Sequence, residues 1–351
     1  MKAARLHQAR DLRIEDLPQR QPADPGPGEA LIRVRSVGLC GSDLHYYRDG
    51  RIGPSTAGEP LVLGHEFAGE IVALGPDARG PEGRPLSEGM AVAVDPARAC
   101  GQCEPCLHGH PNLCPNVQFC GTPPYDGALQ EYFTWPSALL HPLPGGVSLE
   151  QGALLEPLGV LIHAVDLAKI RLADTVAVLG SGPIGLLAIH LARLSGASQV
   201  FATDVLPERV QAARVFGAHH TLDATSADPV RWIKDLTHGR GVDVVLECAG
   251  AGETPGQAVE VVRTGGTVVL VGIPSDDETA FPASPARRKG VTIKLCRRMK
   301  HTYPRALALV EADMVDLNPL VTHRFPLDEA AQAFDVLDRG AEGVLKAVVN
   351  L

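Results

Sequence analysis

Four cysteines in one short stretch are the densest group of chemically active side chains in the sequence. They have the spacing C-x2-C-x2-C-x7-C, and they are Cys100, Cys103, Cys106 and Cys114. Four thiolates on a loop of this length can surround one ion tetrahedrally, and a site closed by four protein ligands is structural. An iron–sulfur cluster is the alternative, but the last gap of the common ferredoxin pattern is shorter. The spacing therefore predicts a structural zinc site.

A second set of metal-binding residue types is more dispersed. Cys40 lies in Gly-Leu-Cys-Gly-Ser-Asp, His65 and Glu66 lie in Gly-His-Glu, and Glu156 follows much later. Taken singly, a cysteine is usually a small buried residue, and a histidine beside a glutamate is usually at the surface. Together, a thiolate, an imidazole and carboxylates are the ligand set of a catalytic zinc with an open coordination position. We expect Asp43 to orient His65, because a ligating histidine normally has a partner on its other ring nitrogen.

A glycine-rich turn joins a β-branched run, Thr175 to Leu179, to an apolar helical run. The turn has the pattern G-x-G-x-x-G, and its residues include Gly180, Gly182, Pro183, Ile184 and Gly185. In a dinucleotide site the first glycine makes the turn, the second lets the backbone approach the pyrophosphate, and the third lets the helix pack on the strand. The pyrophosphate then meets free N–H groups at the start of the helix. The hexapeptide by itself is equally compatible with an ordinary βα turn.

An acidic residue ends the next strand-like run and favours the dinucleotide interpretation. Asp204 follows Gln199 to Thr203, at the spacing from which a carboxylate reaches the ribose hydroxyls, and it would repel a 2′-phosphate. The sequence therefore predicts NAD rather than NADP as the cofactor. A helix N-cap is the alternative role of Asp204. Arg209, one turn into the following helix, could flank the adenosine ribose, and a surface arginine is the alternative.

The composition is that of an acidic globular protein. The chain has 351 residues, 45% of them hydrophobic and 21% charged, with a formal net charge of −9. The length predicts two domains, and the acidic balance argues against nucleic acid or a membrane surface as a partner. The sequence begins without the apolar segment of a signal peptide, and no run reaches the length of a spanning helix. We therefore expect a soluble, cytoplasmic protein whose cysteines are thiols or metal ligands.

The pattern of predicted strands and helices divides the chain into two domains. Residues 1–152 contain short extended runs between glycine and proline clusters, which predicts a mainly β domain. Residues 153–296 alternate helices with strands that are apolar on both faces, which predicts an α/β domain with a doubly wound parallel Rossmann sheet of six strands. Residues 297–351 are expected to complete the first domain, with helices at Pro304–Ala312 and Asp328–Leu337 and strands at Val321–Phe325 and Leu345–Val349.

These motifs, in this order, resemble those of the zinc-dependent medium-chain dehydrogenases, and the resemblance covers essentially the whole chain. Four further stretches are similar to the polyol branch, the sorbitol and xylitol dehydrogenases: CGSDLHY at 40–46, RIG at 51–53, CGTPPYDG at 120–127 and VTHRFP at 321–326. The resemblance implies a chaperonin-10-like fold for the first domain. It also implies two zinc ions per subunit, one catalytic and one structural, NAD as cofactor, and homotetramers.

The resemblance assigns roles to the dispersed ligand set. It makes Cys40, His65 and Glu66 ligands of the catalytic zinc. Glu156 would hold a water molecule at the metal or exchange places with Glu66, and related branches use the position of Glu156 as the ligand instead. Whether Glu66 or Glu156 is the third protein ligand stays open at this point.

The resemblance also implies residues for proton transfer and substrate binding. Ser42 and His45 correspond to the family's proton relay, and Tyr46 and Phe119 to its substrate pocket. Arg298 corresponds to the arginine that contacts the polyol chain, with Glu156 as a further substrate contact. The sequence departs from the branch around Arg298, where Arg-Arg-Met-Lys replaces a segment that often carries an aromatic residue; a basic surface run is the alternative there.

The implied activity is hydride transfer from a secondary alcohol of a polyol similar to sorbitol or xylitol to NAD, which gives a ketose, as in a sorbitol or L-iditol 2-dehydrogenase. The same scaffold could instead oxidise L-threonine, an aldose or a vicinal diol. Two hypotheses lie outside the enzymes: the protein could be a non-enzymatic relative that binds NAD and zinc, or a zinc-ribbon protein that binds nucleic acid. The acidic charge argues against the last of these.

Overall fold

The chain folds into two compact units in the computed structural model, which describes residues 1–17, 25–58, 60–340 and 343–351. The first unit comprises Met1–Gly159 and Lys300–Leu351, and the second comprises Val160–Met299. The boundaries expected from the sequence were 152/153 and 296/297. Among the described residues, no helix combines the length and the apolar character needed to cross a membrane.

The part of the chain before residue 169 is mainly β, as predicted. Its strands are β1 (Lys2–Gln8), β2 (Asp11–Asp16), β3 (Glu29–Gly38), β4 (Arg51–Ile52), β5 (Ser55–Thr56), β6 (Leu61–Val62), β7 (Glu66–Leu74), β8 (Ala91–Val94), β9 (Ala97–Arg98), β10 (Gln118–Phe119), β11 (Tyr132–Pro136) and β12 (Leu140–Pro142). Its helices are α1 (Gly41–Asp49), α2 (Glu104–Leu107), α3 (Leu149–Ala153) and α4 (Leu155–Ala168). The helix α1 was not anticipated, because its polar sequence lacks an apolar stripe.

The second unit alternates strands and helices. Its strands are β13 (Thr175–Leu179), β14 (Gln199–Asp204), β15 (His220–Asp223), β16 (Val242–Glu247), β17 (Val262–Leu270) and β18 (Thr292–Leu295). Its helices are α5 (Pro183–Leu194), α6 (Pro207–Val215), α7 (Pro229–Leu236), α8 (Thr254–Val261) and α9 (Ala283–Lys289). All strand pairs are parallel in the order β15-β14-β13-β16-β17-β18, so the predicted six-stranded Rossmann sheet is confirmed. The strand β17 follows α8 directly, without a loop.

The C-terminal segment returns to the first unit. It contains α10 (Tyr303–Glu311), β19 (Val321–Pro326), α11 (Ala330–Arg339) and β20 (Lys346–Asn350). The main sheet has the order β12-β8-β7-β3-β20-β19, and β11 also pairs with β3. Its core contains large apolar side chains such as Phe67, Phe133 and Phe334.

The central strands of this sheet bring three segments of distant sequence to one place. In the antiparallel pair β3–β7, Gly38 lies opposite Glu66, and in the pair β20–β3, Val348 lies opposite Gly38. Three strand ends therefore meet at one end of these central strands: the end of β3, the start of β7 and the start of β20. The candidate metal ligands are at this position.

Candidate active site

The dispersed ligand set converges at the meeting point of these strands. One ligand atom from each of Cys40, His65 and Glu66 lies within 4.8 Å of the others. Cys40 is the N-cap residue of α1, just after β3, and Glu66 is the first residue of β7. His65 immediately precedes that strand. Because His65 lies outside the strand, its side chain need not point away from that of Glu66, and both side chains can reach the same point. His65 and Glu66 are buried, and Cys40 is half-buried.

Asp43 links two of these ligands from a fully buried position. Its Oδ1 lies 3.2 Å from Nδ1 of His65, and its Oδ2 accepts a hydrogen bond from the backbone N–H of Cys40 at 3.1 Å. Burial would raise the pKa of Asp43, but His65 and the backbone donors hold it below its ordinary value. Because Asp43 occupies Nδ1, His65 presents Nε2 as its metal-binding nitrogen. The Oγ of Ser42 lies 3.4 Å from that Nε2.

Burial and the neighbouring groups Asp43 and Cys40 set the pKa of His65. Burial would lower the pKa of the imidazole, but Asp43 and Cys40 outweigh burial and raise that pKa well above its ordinary value. Such a cluster of negative charge attracts a cation, either a proton on His65 or a metal ion.

Glu66 contacts a residue that the motifs did not reveal. The ammonium of Lys346 lies 2.8 Å from both carboxylate oxygens of Glu66 and donates a third hydrogen bond to the carbonyl of Leu39 at 3.1 Å. Burial would lower the pKa of Lys346, but the Glu66 carboxylate holds it above its ordinary value. The signal in the sequence was a single lysine in the apolar strand 345–349, where a buried charge requires a partner.

The carboxylate of Glu66 fills space that only a glycine leaves. A Cβ atom at Gly38 would lie 2.3 Å from Oε2 of Glu66, far inside van der Waals contact. Since Gly38 is opposite Glu66 in the sheet, the glycine sets where this carboxylate can lie.

Glu156 lies in the first turn of α4 and is 4% exposed. Its carboxylate is not a member of the three-ligand group within the described part of the chain. Burial raises its pKa to about 8, and the nearby charge of Glu66 adds to the rise while His65 opposes it. Without a metal ion, Glu156 is therefore mostly protonated at neutral pH and can donate a hydrogen bond.

Of the residues expected for proton transfer and substrate contact, Ser42 and Phe119 lie beside the candidate ligand His65. The ring of Phe119 lies 5.2 Å from that of His65. The hydroxyl of Tyr46 lies 2.9 Å from that of Ser55, a partner that the motifs did not indicate. His45 is on α1 with its Nδ1 3.3 Å from Arg48, and its side chain keeps 18% exposure.

The four-cysteine loop forms a second cluster. One sulfur from each of Cys100, Cys103, Cys106 and Cys114 lies within 4.8 Å of the others, and all four are free thiols. The sulfur of Cys103 is 3.4 Å from that of Cys106 and 3.8 Å from that of Cys114. Backbone N–H groups of Gln102 and Cys103 lower the pKa of Cys100 to about 6. A tetrahedron with Zn–S bonds of about 2.3 Å has edges of about 3.8 Å, so these sulfurs are spaced for one zinc ion.

The glycine-rich turn of the second unit has the geometry that its motif predicts. Gly180 has a φ of +90°, which is the left-handed region, and a Cβ at Gly185 would lie 1.9 Å from the carbonyl oxygen of Gly180. The helix α5 begins with Pro183 as its first residue and Ile184 as its second, after the N-cap Gly182. The free N–H groups of this helix start can bind an anion.

Asp204 ends β14, as expected, and its two carboxylate oxygens also accept hydrogen bonds from nearby backbone N–H groups. Oδ2 accepts a hydrogen bond from the N–H of Ser181 at 2.7 Å, and Oδ1 accepts one from Leu206 at 2.9 Å. Arg209 lies over the turn, since its Nη1 is 3.7 Å from the place of a Cβ at Gly182. The Nε of Arg209 is buried without a hydrogen-bond partner among the described residues, which fits a binding site for an anionic or hydroxylated ligand.

Arg298 follows β18 in the second unit and is half-buried, with a φ of +53°. A left-handed backbone at a non-glycine residue is uncommon and often marks a functional segment. Its contact with a polyol stays a prediction, because Arg298 and the metal ligands belong to different units.

Comparison with known proteins agrees with the two sites. Residues 26–145 match the model of the alcohol dehydrogenase GroES-like domain, and residues 183–312 match that of the zinc-binding dehydrogenases. The chain is 39% identical to a sorbitol dehydrogenase of Bacillus subtilis, over 95% of this chain and 93% of the relative. It is 38% identical to the sorbitol dehydrogenase of Gallus gallus, over 97% of this chain and 93% of that relative. The chain belongs to the zinc-dependent medium-chain dehydrogenases. Within this family it is a member of the polyol branch, as the motifs indicated.

Solved structures of the family share the fold over the full length. The 2R,3R-butanediol dehydrogenase of Bacillus subtilis has a TM-score of 0.86 at 33% identity, with coverage of 100% of this chain and 99% of that one. A zinc-binding dehydrogenase of Sinorhizobium meliloti bound to NADP has a TM-score of 0.89 at 32% identity, with coverage of 100% and 99%. Zinc and a nicotinamide dinucleotide are the cofactors of the medium-chain dehydrogenases that bind zinc, and the donor sets described above fit both.

Proposed function

We propose that this protein oxidises a secondary alcohol of a polyol to a ketose, with NAD as the hydride acceptor. The observation that carries the proposal is the convergence of Cys40, His65 and Glu66 within 4.8 Å, in a chain that is 39% identical to a sorbitol dehydrogenase along nearly its whole length. The ligand set supports zinc, and the relative's name supports the substrate class.

When bound at Cys40, His65 and Glu66, zinc supplies Lewis acidity that lowers the pKa of an alcohol hydroxyl. Asp43 fixes the imidazole of His65 and the backbone at Cys40, so that the ligands are ordered before substrate arrives. Cys100, Cys103, Cys106 and Cys114 would hold a second zinc with a structural role.

Ser42 and His45 are proposed to move the hydroxyl proton to solvent. Ser42 has its Oγ close to the metal-facing nitrogen of His65, so it can accept a proton at the substrate oxygen and pass one on. His45 lies on the same helix and is exposed enough to exchange a proton with water. A hydroxyl group and an imidazole that transfer a proton one after the other are suited to general base catalysis near neutral pH.

The remaining hydroxyls of a polyol need polar partners. Glu156 offers a buried carboxyl group, and Tyr46 offers a phenolic hydroxyl that lies 2.9 Å from the hydroxyl of Ser55. Phe119 supplies an apolar wall beside His65, and Arg298 is the proposed partner of the distal chain. A site with buried polar groups rejects ligands that leave those groups unpaired, so simple alcohols should be poor substrates.

NAD is proposed to bind at the turn from Gly180 to Gly185, with its ribose near Asp204 and Arg209. The negative charge of Asp204 disfavours a 2′-phosphate, and this is the reason to expect NAD rather than NADP. Bound there, NAD would supply the hydride acceptor for the oxidation of the alcohol, and the redox chemistry would be that of the cofactor. A homotetramer and a cytoplasmic location stay predictions.

The test is NAD reduction by the purified protein with sorbitol, xylitol, L-iditol, galactitol, 2,3-butanediol and L-threonine, with NADP in parallel. We expect turnover of at least one long polyol, a preference for NAD, and two zinc ions per chain by metal analysis. Turnover of 2,3-butanediol alone would favour a vicinal-diol dehydrogenase, a second candidate that the structural likeness to a butanediol dehydrogenase supports. Absence of turnover with every alcohol in the zinc-loaded protein would refute the proposed activity.

A further inference from the structure

Lys346 and Glu66 form the most deeply buried ion pair among the described residues, with side chains 4% and 1% exposed. The ammonium has three N–H groups, and three acceptors lie within hydrogen-bond distance: the two oxygens of Glu66 at 2.8 Å and the carbonyl of Leu39 at 3.1 Å. Its donor capacity is therefore fully used. Neither cofactor binding nor the proton relay explains this pair.

The position of the ammonium limits what Glu66 can offer to a metal ion. Because Nζ is equidistant from the two oxygens, it lies on the side of the carboxylate where lone pairs of both oxygens converge. A metal ion that binds both oxygens at once must approach from that same side. With Lys346 in place, Glu66 can therefore give a metal ion only one oxygen, through a lone pair that faces away from the ammonium.

The backbone around the pair keeps both groups where they are. Lys346 is the first residue of β20, Glu66 is the first residue of β7, and β3 lies between these two strands. Gly38 of β3 leaves the space that Oε2 of Glu66 occupies, and the carbonyl of Leu39 anchors the ammonium. Rotation of Glu66 toward a two-oxygen contact would break the ion pair inside the protein, which is costly.

We propose that Lys346 is a positioning residue that restricts Glu66 to one-oxygen contact with the catalytic metal and so preserves a coordination position for the substrate hydroxyl. The inference rests on the proposed function, since it concerns the zinc that Cys40, His65 and Glu66 would hold. The positive charge of Lys346 also offsets the negative charge of Glu66. The metal then keeps more of its capacity to stabilise negative charge on the substrate oxygen.

The first test uses the protein with zinc in the four-cysteine site and cobalt(II) exchanged into the catalytic site, because the visible spectrum of cobalt reports coordination number. We expect Lys346→Met to weaken the d–d bands, as Glu66 adds its second oxygen, while the thiolate band from Cys40 persists. The kcat/KM for the best polyol should fall roughly 10–100-fold, the usual range for loss of a group that orients a metal ligand. An unchanged cobalt spectrum in a folded variant would overturn the proposal.

Lys289→Met is the matched control. The ammonium of Lys289 donates to three backbone carbonyls, those of Val259, Glu260 and Val262, in the second unit. Its loss removes a lysine with the same number of hydrogen bonds but no carboxylate at a metal site. We expect this variant to lose some stability and to keep the cobalt spectrum of the parent protein.

A second set of variants keeps the proposal testable if Lys346→Met fails to fold. In the background of Glu66→Gln the side chain cannot chelate as a carboxylate, so adding Lys346→Met should leave both the cobalt spectrum and kcat/KM as they are in Glu66→Gln alone. If adding Lys346→Met to Glu66→Gln changes the cobalt spectrum, Lys346 does not act through Glu66 and the proposal is wrong. The spectra need no substrate, so an inactive parent protein would refute the proposed activity without deciding the role of Lys346.

Discussion

The Oδ1 of Asp43 lies 3.2 Å from Nδ1 of His65, and the same carboxylate accepts a hydrogen bond from the backbone of Cys40. One buried side chain thus fixes two of the three proposed ligands. Asp43→Asn would place a neutral amide there, which is a weaker hydrogen-bond acceptor for Nδ1–H of His65 and presents an N–H group to one of these donors. We expect zinc affinity at the catalytic site and kcat/KM to fall roughly 10–100-fold, measured by chelator competition and steady-state kinetics.

Asp243→Asn is the control for this substitution. Asp243 is also a buried carboxylate that accepts hydrogen bonds from the backbone N–H and the hydroxyl of Thr175, and it pairs with Arg240 and Arg263 in the second unit. Its loss should lower the thermal unfolding temperature and leave zinc content at two ions per chain. Equal loss of zinc from both variants would show that the effect of Asp43 is only general destabilisation.

Asp204→Ala should weaken cofactor binding as well as change cofactor preference. The carboxylate holds the N–H groups of Ser181 and Leu206, so its removal loosens the turn that meets the pyrophosphate and removes the charge that disfavours a 2′-phosphate. Loss of one hydrogen bond to a charged group costs about 1.5–3 kcal/mol, which is roughly a 10-fold or greater rise in the Kd of NADH. Fluorescence titration with NADH and NADPH measures both effects.

The control for Asp204 is its neighbour in the sheet. Asp223 lies opposite Asp204 in the pair β14–β15 and caps a turn through Thr225. We expect Asp223→Ala to bind both dinucleotides as the parent does. If Asp204→Ala keeps the full preference for NADH over NADPH, the carboxylate stabilises the turn but does not determine the cofactor preference.

Cys103→Ser should remove the structural metal without removing the catalytic one. Cys103 has two of the close sulfur contacts in the loop, to Cys106 and Cys114, and a serine hydroxyl is a poor zinc ligand in a four-sulfur site. We expect one zinc per chain, a lower unfolding temperature, and residual turnover in the protein that stays folded. Cys120→Ala is the control, since Cys120 is a buried thiol outside the cluster; it should keep two zinc ions.

The sequence predicted those parts of the molecule that depend on local pattern. The four cysteines, the glycine-rich turn and the alternation of helices and strands are each encoded within short stretches, and the six-stranded sheet and the mainly β unit are confirmed. The convergence of Cys40 with His65 and Glu66 was a hypothesis from their residue types and from the family resemblance. No local pattern encodes it, because it depends on the pairing of β3 with β7 across distant sequence.

The parts that sequence reasoning missed are contacts between distant segments. The pairing of Lys346 with Glu66 requires β20 to lie beside β3, and a lysine in an apolar strand shows only that some partner must exist. The bond from Tyr46 to Ser55 depends on the short hairpin of β4 and β5, which has no strong pattern. The inward turn of Asp204 toward Ser181 likewise appears only once β13 and β14 are paired.

The imidazole of His141 gives the first unit a dependence on pH that is separate from its metal sites. It is 9% exposed and stacks on Tyr303 with ring centroids 4.4 Å apart. Burial, with a smaller effect of Arg84, lowers the pKa of His141 from 6.5 to about 4. The unfolded chain therefore takes up a proton as the pH falls below 6.5, while the folded protein does so only near pH 4, and folding loses free energy across that window.

We expect His141→Phe to remove this contribution, because phenylalanine keeps a ring against Tyr303 and does not titrate. Between pH 7 and pH 5 the parent protein should lose about 2 kcal/mol of unfolding free energy more than the variant does. Urea unfolding in a Trp232→Phe background measures this difference, since Trp135 then reports the first unit alone. Equal pH dependence of the parent and the His141→Phe protein would mean that His141 titrates normally in the folded state.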